Sequence, residues 1–477
     1  MHSGAAVTAS QATEGKRLRV LAIAEAANPE WVSVPLVGWS LAKALMARHD
    51  VHLVTQIRNR DAILRAGLIE GRDFTAIDSE AVARPVYQLA QRLRMGEGKG
   101  WTLLTALSSK IDYPHFERLV WAKFGPDIRA GKYDVVHRIT PLSLIANSSL
   151  AAKCEAAGVP FVMGPLNGGV PWPKGFDAER RAEGEWLSPL RGLHRFMPGR
   201  AKMLSAARAV IVGSRFAKAD LPADIQHKVA LIAENAIDPA RFNLRPKAFA
   251  GQGAQEGQGG PEQQDGQEQS AGKGTPANPL RACFIGRLVP CKGTDMLLHA
   301  AAPLLKSGRM TLDLLGNGPE EGKLRQIARD LQLGDSVTFH GWVDHHAIQN
   351  ILQGADIFTF PSFREFGGGV VLEAMALGVV PIVCDYAGPA ELVDAHTGFK
   401  IPVTDREGLT HALRDCLTKI ADAPEQLIDM SRAAHARVQD HFTWDQKARQ
   451  ITAIYDWAMK PQGPIPQPVL TAGQSHN

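Results

Sequence analysis

Short apolar runs alternate with longer amphipathic stretches through most of the chain, and Gly, Pro and Asn residues separate them. Runs rich in Val, Ile and Leu predict buried strands, and the stretches between them predict helices. Strands that alternate with helices are typical of parallel α/β sheets. The predicted strands are 19–24, 51–55, 134–137, 161–163, 209–212 and 229–232 in the first half, and 281–285, 311–315, 337–340, 357–360 and 379–384 in the second.

A change in composition separates the two halves. Residues 248–278 are almost all Gly, Gln, Glu, Pro and small residues, so they cannot bury enough apolar surface to offset the entropy of ordering. This composition predicts a flexible linker between two doubly wound domains. The predicted divisions are an N-terminal tail 1–17, a first domain 18–246, the linker 247–279, a second domain 280–442, a C-terminal helix 443–460 and a tail 461–477.

Two glutamates in the second half, Glu365 and Glu373, stand on either side of three consecutive glycines. A predicted strand precedes them, and a helical pattern runs from about 368 to 377 and stops at Gly378. Glycines leave backbone N–H groups uncovered at the positive end of a helix, where phosphate binds. An anion flanked by groups that bind hydroxyls fits a sugar nucleotide. The alternative is an ordinary βαβ unit with two surface glutamates.

The stretch from Phe363 to Glu391 resembles the E-x7-E motif of the retaining glycosyltransferases of family four, which have the GT-B fold. The resemblance extends from about residue 18 to 457, except for the linker. It implies that Glu365 lies near the hydroxyls of the transferred sugar and that Glu373 binds the ribose. It also implies that one run of residues lies against the donor's diphosphate: Phe366, Gly367, Gly368, Gly369, Val370 and Val371.

A second loop, GRLVPCKG from Gly286 to Gly293, follows the predicted strand 281–285, and Gly286 is a candidate donor contact. It resembles the family's G-R-L-x-x-x-K-G motif, which implies that Arg287 and Lys292 neutralise the donor's diphosphate. Cations at that place stabilise the negative charge that develops as the glycosidic bond breaks. A basic surface loop is the alternative. The chain has no D-x-D triplet, so we expect no metal ion and no cofactor other than the donor itself.

Two further segments match landmarks of the same family. Gly316 lies in LLGNGPE at 314–320, where the resemblance implies a turn after a strand and makes Gly316 a candidate donor contact. Val343 ends VTFHGWV at 337–343, which resembles the loop that holds the nucleotide base through backbone atoms. Trp342 either stacks on the base or lies in the core.

The motifs of the first domain are less complete. A predicted loop that contains Gly38 precedes a helix at 40–48, and Gly38 alone stands where the family often has a Gly-Gly pair with a free backbone N–H. DVVHRITP at 134–141 resembles a D-x-x-H pattern. Because Ile139 holds the position of a second histidine, His137 is the candidate imidazole beside the reacting sugar, and a structural role is the alternative.

Three other segments of the first half leave alternatives open. GPLNGGVPWPKGF at 164–176 resembles a G-P-x-G-G-G loop, with Asn167 where a small residue is usual, and is either a ligand loop or a plain turn. AENAIDPARF at 233–242 resembles the P-N-G-V-D-x-x-x-F segment at the hinge, for which we expect a structural role. The basic span 87–132 fits acceptor contacts, a membrane-surface helix or a helix packed on its own domain.

Charge is unevenly distributed. Residues 1–246 carry 33 Lys and Arg against 23 Asp and Glu, a net charge of +10, and the remaining 20 and 26 give the second half −6. A basic first half fits an anionic partner such as a membrane surface or a lipid-linked glycan, and scatter over a large surface is the alternative. No nucleic-acid motif is present. Five cysteines without a C-x-x-C pair, and no apolar run of 18 residues, favour a cytoplasmic chain, at most peripheral to the inner face of the membrane.

Together these features predict an α/β protein of the GT-B fold, with two Rossmann-like domains that face a central cleft. The predicted activity is metal-independent transfer of a hexose-type sugar, with retention, from a nucleoside-diphosphate sugar to a glycan or lipid-linked glycan in cell-surface polysaccharide biosynthesis. Two other interpretations stay open. One is a nucleotide-sugar epimerase of the GT-B fold, which needs no acceptor. The other is a non-catalytic binding protein, which has no need of intact Arg287, Lys292, Glu365 and Glu373.

Overall fold

The computed structural model of the protein describes residues 16–93, 111–183, 197–241 and 273–467. In these ranges, strands form two parallel sheets that helices cover. The strands are β1 Arg19–Ala24, β2 Asp50–Gln56, β3 Phe74–Ile77, β4 Val135–Thr140, β5 Phe161–Leu166, β6 Ala209–Val212, β7 Val229–Leu231, β8 Leu280–Ile285, β9 Met310–Leu315, β10 Val337–Gly341, β11 Ile357–Phe360, β12 Val380–Cys384 and β13 Phe399–Ile401. The α-helices are α1 Val34–Met46, α2 Arg60–Arg65, α3 Glu80–Leu93, α4 Tyr113–Arg129, α5 Leu150–Ala156, α6 Asp177–Ala182, α7 Arg200–Ala206, α8 Arg215–Ala219, α9 Thr294–Lys306, α10 Glu321–Asp330, α11 His345–Gly354, α12 Gly369–Ala376, α13 Ala387–Leu392, α14 Arg406–Asp422, α15 Gln426–His441 and α16 Trp444–Met459.

The first sheet has the strand order β3-β2-β1-β4-β5-β6-β7. Its two faces bury separate cores. Val136 and Phe161 belong to the core that α4, α5 and α7 cover, whereas Val135 and Ile139 belong to the core that α1 and α16 cover. Because side chains alternate between the faces of a strand, neighbouring residues of β4 lie in different cores.

The second sheet has the strand order β10-β9-β8-β11-β12-β13. The order reverses between β8 and β11 here, and between β1 and β4 in the first sheet. In sheets of this kind, ligands bind in the crevice outside the carboxyl ends of the strands where the order reverses. The crevice of the second domain is therefore flanked by the loop after β8, which begins at Gly286, and the loop after β11, residues 361–368.

The C-terminal helix α16 packs into the core of the first domain, although the second domain precedes it in the chain. Ile454 and Tyr455 of this helix are buried with residues of β1 and β4. Its start contacts the other connection between the domains. The N–H of Ile237 donates to Phe442 O at 2.7 Å, and the N–H of Trp444 donates to Ile237 O at 3.1 Å. The two chain crossings therefore support each other.

Every predicted strand overlaps an observed one, and the short strands β3 and β13 were not predicted. The prediction of a loop around Gly38 is wrong, because α1 begins at Val34 and contains Gly38. Pro35 explains the earlier start, since its fixed φ suits the first helical turn, where its missing N–H is not needed.

Parts of the predicted tail and linker pack on the domains. Residues 461–467 lie on the first domain, where Ile465 is buried and the side chain of Gln467 bonds to the backbone of β7. Residues 273–279 pack on the second domain, where Lys273 forms an ion pair at 2.8 Å with a carboxylate before β11. The remainder of both predicted tails and of the linker, and part of the basic span, lie outside the described residues.

Candidate functional site

The loops after β8 and β11 lie against each other where the strand order of the second sheet reverses. The N–H of Phe363 and the hydroxyl of Ser362 both donate to Cys291 O, at 3.2 and 3.3 Å. Gly293 has a φ of +68°, and a Cβ at this position would lie 2.6 Å from Pro361 O, so glycine is required for the approach. The two predicted motifs therefore share one surface.

Lys292 and Glu365, one from each loop, form an ion pair through Nζ and Oε2. The ammonium group also lies 4.9 Å from the ring centre of Phe360, at the end of β11. Burial lowers the pKa of Lys292. Glu365, with smaller contributions from Cys291 and Glu183, outweighs burial, and the pKa lies above its usual value. Lys292 is therefore a fixed positive charge at this crevice.

Arg287 and Glu373 flank this pair in the sequence. Arg287 is exposed, and its guanidinium forms no hydrogen bond or ion pair with any residue in the described part of the chain. It can contact an anion without first giving up another partner. Glu373 is half-buried in the second turn of α12, as its predicted position inside a helix requires.

The start of α12 offers backbone donors next to the ion pair. Gly368, with a φ of 63°, precedes the helix, and no side chain caps the first turn at Gly369. A Cβ on Gly388 would lie 2.0 Å from Phe366 O, so α13 packs tightly on this loop. Of the other predicted contacts, Phe366 is exposed, Val370 is half-buried and Val371 is buried. Uncapped N–H groups at the positive end of a helix suit an anion.

Gly286, Gly316 and Gly341 bring the loops after β8, β9 and β10 together. A Cβ on Gly316, where φ is +127°, would lie 2.0 Å from Gly286 O. Both predicted contacts use their N–H inside the fold, at 3.0 Å for Gly286 and 2.7 Å for Gly316, so these glycines serve close packing. Val343 is half-buried against the core of the second domain. Trp342 is 75% exposed, so the alternative that it lies in the core is wrong.

His137 is fully buried inside the first domain and does not reach the crevice. Nδ1 lies 2.6 Å from the hydroxyl of Tyr455 in α16, and Nε2 lies 2.8 Å from Gly164 O. Because a carbonyl only accepts, Nε2 carries the proton and Nδ1 accepts from the hydroxyl. Burial lowers the pKa of His137 to about 4, so the ring is neutral at pH 7. The predicted contact with the reacting sugar is wrong, since this ring instead fastens α16 and Gly164 to β4.

Gly38 also has a packing role. It lies inside α1, where backbone N–H groups bond within the helix. A Cβ on Gly38 would lie 2.1 Å from Ala26 O, so glycine lets α1 approach the segment that follows β1. The predicted N–H contact between Gly38 and the donor is wrong for this reason.

A segment of the first domain crosses to the second. Phe176 is fully buried in the core of the second domain and stacks on Phe363 with ring centres 4.1 Å apart. The guanidinium of Arg364 lies 4.9 Å from the ring centre of Trp172, and its Nε donates to Val170 O at 3.4 Å. The 164–176 segment is thus an interdomain contact, a role that neither sequence interpretation included.

The continuation of this segment holds the loop that carries Lys292. Glu183 Oε1 accepts a hydrogen bond from the N–H of Cys291 at 2.9 Å. Glu179 forms an ion pair at 3.0 Å with Arg406, at the start of α14. Two carboxylates of the first domain therefore fix the position of elements in the second.

Two residues that the sequence assigned to the hinge, Glu234 and Asn235, lie at the glycine run. A Cβ on Gly367 would lie 2.3 Å from Asn235 Nδ2 and 3.4 Å from Glu234 Oε2. Glu234 Oε2 accepts a hydrogen bond from Asn167 Nδ2. The sequence interpretation missed this contact. A signal was present, because Glu234 and Asn167 each depart from the motif that they resemble, and the two departures pair with each other.

Within the described ranges, no three His, Cys, Asp or Glu side chains come together in an arrangement that could hold a metal ion. The described helices are all too short or too polar to cross a membrane. All five cysteines are free thiols.

Comparison with known proteins gives a partial match in sequence. The family model for glycosyl transferases group 1 matches residues 265–437. Over 198 residues, the chain is 30% identical to D-inositol 3-phosphate glycosyltransferase of Streptomyces avermitilis. This alignment covers 39% of this chain and 42% of that protein. Over 190 residues, it is 33% identical to the GDP-mannose-dependent monoacylated alpha-(1-6)-phosphatidylinositol monomannoside mannosyltransferase of Corynebacterium glutamicum. This alignment covers 38% of this chain and 48% of that protein. The match spans less than half the length of each relative.

Comparison of structures gives a match across both domains. The crystal structure of Anabaena HepE in complex with UDP and glucose is similar with a TM-score of 0.52 at 17% identity, over 91% of this chain and 98% of that chain. This likeness concerns the fold alone, and with the two parallel sheets it confirms the predicted α/β GT-B architecture. Over residues 265–437 the chain is thus similar to the glycosyl transferases of group 1, as the resemblance in its sequence predicts.

Proposed function

We propose that the protein is a retaining, metal-independent glycosyltransferase. It moves a hexose-type sugar from a nucleoside-diphosphate sugar to a glycan or lipid-linked glycan in cell-surface polysaccharide biosynthesis. The observation that carries the proposal is the meeting of Lys292, Glu365 and the uncapped start of α12 where the strand order of the second sheet reverses. One crevice thus combines a fixed cation, a carboxylate for hydroxyls and backbone donors for phosphate.

The proposed reaction needs positive charge at the leaving group. When the bond between the anomeric carbon and the diphosphate oxygen breaks, the diphosphate takes the electron pair. Lys292 remains charged, since its pKa is raised. The guanidinium of Arg287, which has no partner among the described residues, can bind two oxygens side by side. The start of α12 adds partial positive charge. These groups can do what a divalent cation does elsewhere, which is the reason for proposing metal independence.

The two glutamates have separate proposed roles. Glu365 is oriented from both sides, because Oε2 pairs with Lys292 and Oε1 accepts the N–H of Phe366 at 3.2 Å. An oriented carboxylate can accept hydroxyls of the transferred sugar with its remaining lone pairs. Glu373, one turn further along α12, is proposed to accept the ribose hydroxyls.

The proposed acceptor rests on charge and on the relatives' names. The names of both matched relatives include a phosphorylated compound, an inositol phosphate in one and a phosphatidylinositol mannoside in the other. The first half of this chain has the net charge of +10 that an anionic acceptor would favour. A lipid-linked acceptor would bring this half to the inner face of the membrane.

A panel of nucleotide sugars, tested by thermal shift, checks the proposal, because a true donor stabilises the fold by mass action. The stabilising sugar is then incubated with candidate acceptors, and the anomeric configuration of the product is measured by NMR. A chain that no nucleotide sugar stabilises contradicts the proposal, and an inverted product contradicts retention. Conversion of the nucleotide sugar without an acceptor would identify an epimerase. Activity that a chelator abolishes and manganese restores would contradict metal independence.

A further inference from the structure

The hinge segment 233–237 brings two polar side chains to the glycine run that precedes α12. Asn235 Nδ2 lies 2.3 Å from the position of a Cβ on Gly367, and its Cγ lies 3.3 Å from that of a Cβ on Gly369. Glu234 Oε2 lies 3.4 Å from the Gly367 position. These distances mean that the hinge lines the proposed diphosphate loop, and that glycine at 367 leaves room for it.

Buried contacts hold the hinge from its other side. Lys447 of α16 is 2% exposed, and its Nζ donates to the carbonyls of residues 233–235, at 2.9 Å for the last of them. Asn167 holds one carboxyl oxygen of Glu234. Since Lys447 already satisfies the hinge carbonyls, the side chain of Asn235 is not needed to stabilise the hinge. In the described part of the chain, its amide has no hydrogen-bond partner.

The atoms that remain available have different chemistry. Asn235 presents Nδ2 beside Gly367 and Oδ1 beside Gly369, where α12 begins, so its amide N–H groups face the glycine run before the helix. Such donors suit a phosphate oxygen. Glu234 presents Oε1, which accepts no hydrogen bond from a described residue, and a carboxyl oxygen suits a hydroxyl. Burial raises the pKa of Glu234, although the hydrogen bond from Asn167 and the charge of Lys447 act in the opposite direction.

We propose that Glu234 and Asn235 form a hinge wall of the donor site. Asn235 Nδ2 donates to a diphosphate oxygen, and Glu234 Oε1 bonds to a hydroxyl of the transferred sugar. This inference rests on the proposed function and adds two contacts from the connection between the domains. Donor binding is thereby coupled to the hinge itself.

Calorimetric titration of the full chain with UDP and UDP-glucose, and with GDP and GDP-mannose, separates the two contacts. The pair of ligands that the parent protein binds is then titrated into variants. Asn235→Ala should weaken binding of the nucleoside diphosphate and of the nucleotide sugar alike, by about tenfold. Glu234→Ala should weaken only the nucleotide sugar, again by about tenfold. Asp238→Asn, at the exposed position directly after this segment, is the control and should bind both ligands as the parent does.

The outcomes distinguish this inference from the proposed function. Parent-like binding of both ligands by both alanine variants overturns the inference and leaves the proposed function standing. Equal losses for both ligands in Glu234→Ala overturn the sugar contact. Glu234→Gln, which can keep the bond to Asn167, provides the same comparison if the alanine variant does not fold. If the parent binds neither pair, the same titrations use the nucleotide sugar that the thermal-shift panel selects, together with its nucleoside diphosphate. A parent that binds no nucleotide sugar of that panel overturns the proposed function and the inference together.

Discussion

Lys292 and Glu365 lie on two loops of a single sheet, whereas Glu234 reaches the same crevice from the connection between the domains. We call Lys292, Glu365 and the start of α12 the second-domain wall, and all three are held by the second sheet. The first-domain part of the site is held by segments that extend away from the first sheet. Phe176 packs in the core of the second domain, and Glu183 accepts a hydrogen bond from the loop after β8. The first domain therefore contributes to the site through interdomain contacts. Its part of the site should depend on those contacts, whereas the part on the second domain should not.

The largest effect should come from Phe176→Ala, which removes the ring that anchors the crossing segment. Phe176 is fully buried against Phe363, and loss of such a ring should lower the free energy of unfolding by about 3–5 kcal/mol. Urea titration measures it. Phe216→Ala is the matched control, since Phe216 also contacts an aromatic ring of the second domain, at 5.1 Å, but is half-buried. Equal costs for the two variants would contradict an anchored segment.

The second-domain wall is tested by Lys292→Ala. Loss of this fixed charge should lower turnover at saturating donor by about 10²–10³, or about 3 kcal/mol in the barrier, with little change in stability. Lys306→Ala, at an exposed position near the end of α9, controls for loss of a lysine elsewhere. Turnover of the Lys292 variant equal to that of the control would exclude the proposed role.

His137 provides a pH test of the first domain. Its folded pKa of about 4 lies below the ordinary value of 6.5, so the unfolded chain binds the proton first as the pH falls. The protein should therefore lose up to about 3 kcal/mol of stability between pH 6.5 and pH 4, and none of this contribution above that window.

Denaturant titrations at several pH values compare the parent with His137→Asn, which cannot titrate, and with His396→Asn at an exposed site. Only in His137→Asn should the free energy of unfolding fall less steeply than in the parent as the pH drops from 6.5 to 4. The turnover of this variant per folded molecule at pH 7 should match that of the parent. A large loss of turnover in a protein that is still folded would restore His137 to the site.

The fold and the second-domain wall could be predicted because each strand, loop and helix is contiguous in the sequence. Lys292 and Glu365 follow their strands directly, so the motif and the sheet topology together bring them to one crevice. The strands β3 and β13 were missed because each is a short run at the edge of a sheet.

The first domain was harder to predict because its contacts are distant in sequence. The pairing of Asn167 with Glu234 depends on packing between separate segments, and its signal in the sequence was only that each residue departs from the motif that it resembles. The burial of His137 did have a signal. Residues two apart share a face of a strand, and the apolar Val135 and Ile139 on either side indicate that this face belongs to the core.

The smallest effect should come from the connection between the walls. Replacing residues 248–272 with about ten Gly/Ser residues should leave both stability and donor binding unchanged, because loop-closure entropy varies slowly with length. The replacement stops at residue 272 because the residues after it contact the second domain. Lys273 pairs with Asp356, and the carbonyl of Gly274 accepts a hydrogen bond from Arg309 Nε at 2.6 Å. Extending the replacement through residue 279 should therefore cost about 2 kcal/mol of stability, as buried polar groups lose their partners. Calorimetry with the bound nucleoside diphosphate and urea titration measure both. If the shorter replacement abolished binding in a folded protein, the connection would belong to the site, and the division into a second-domain wall and a hinge wall would be incomplete.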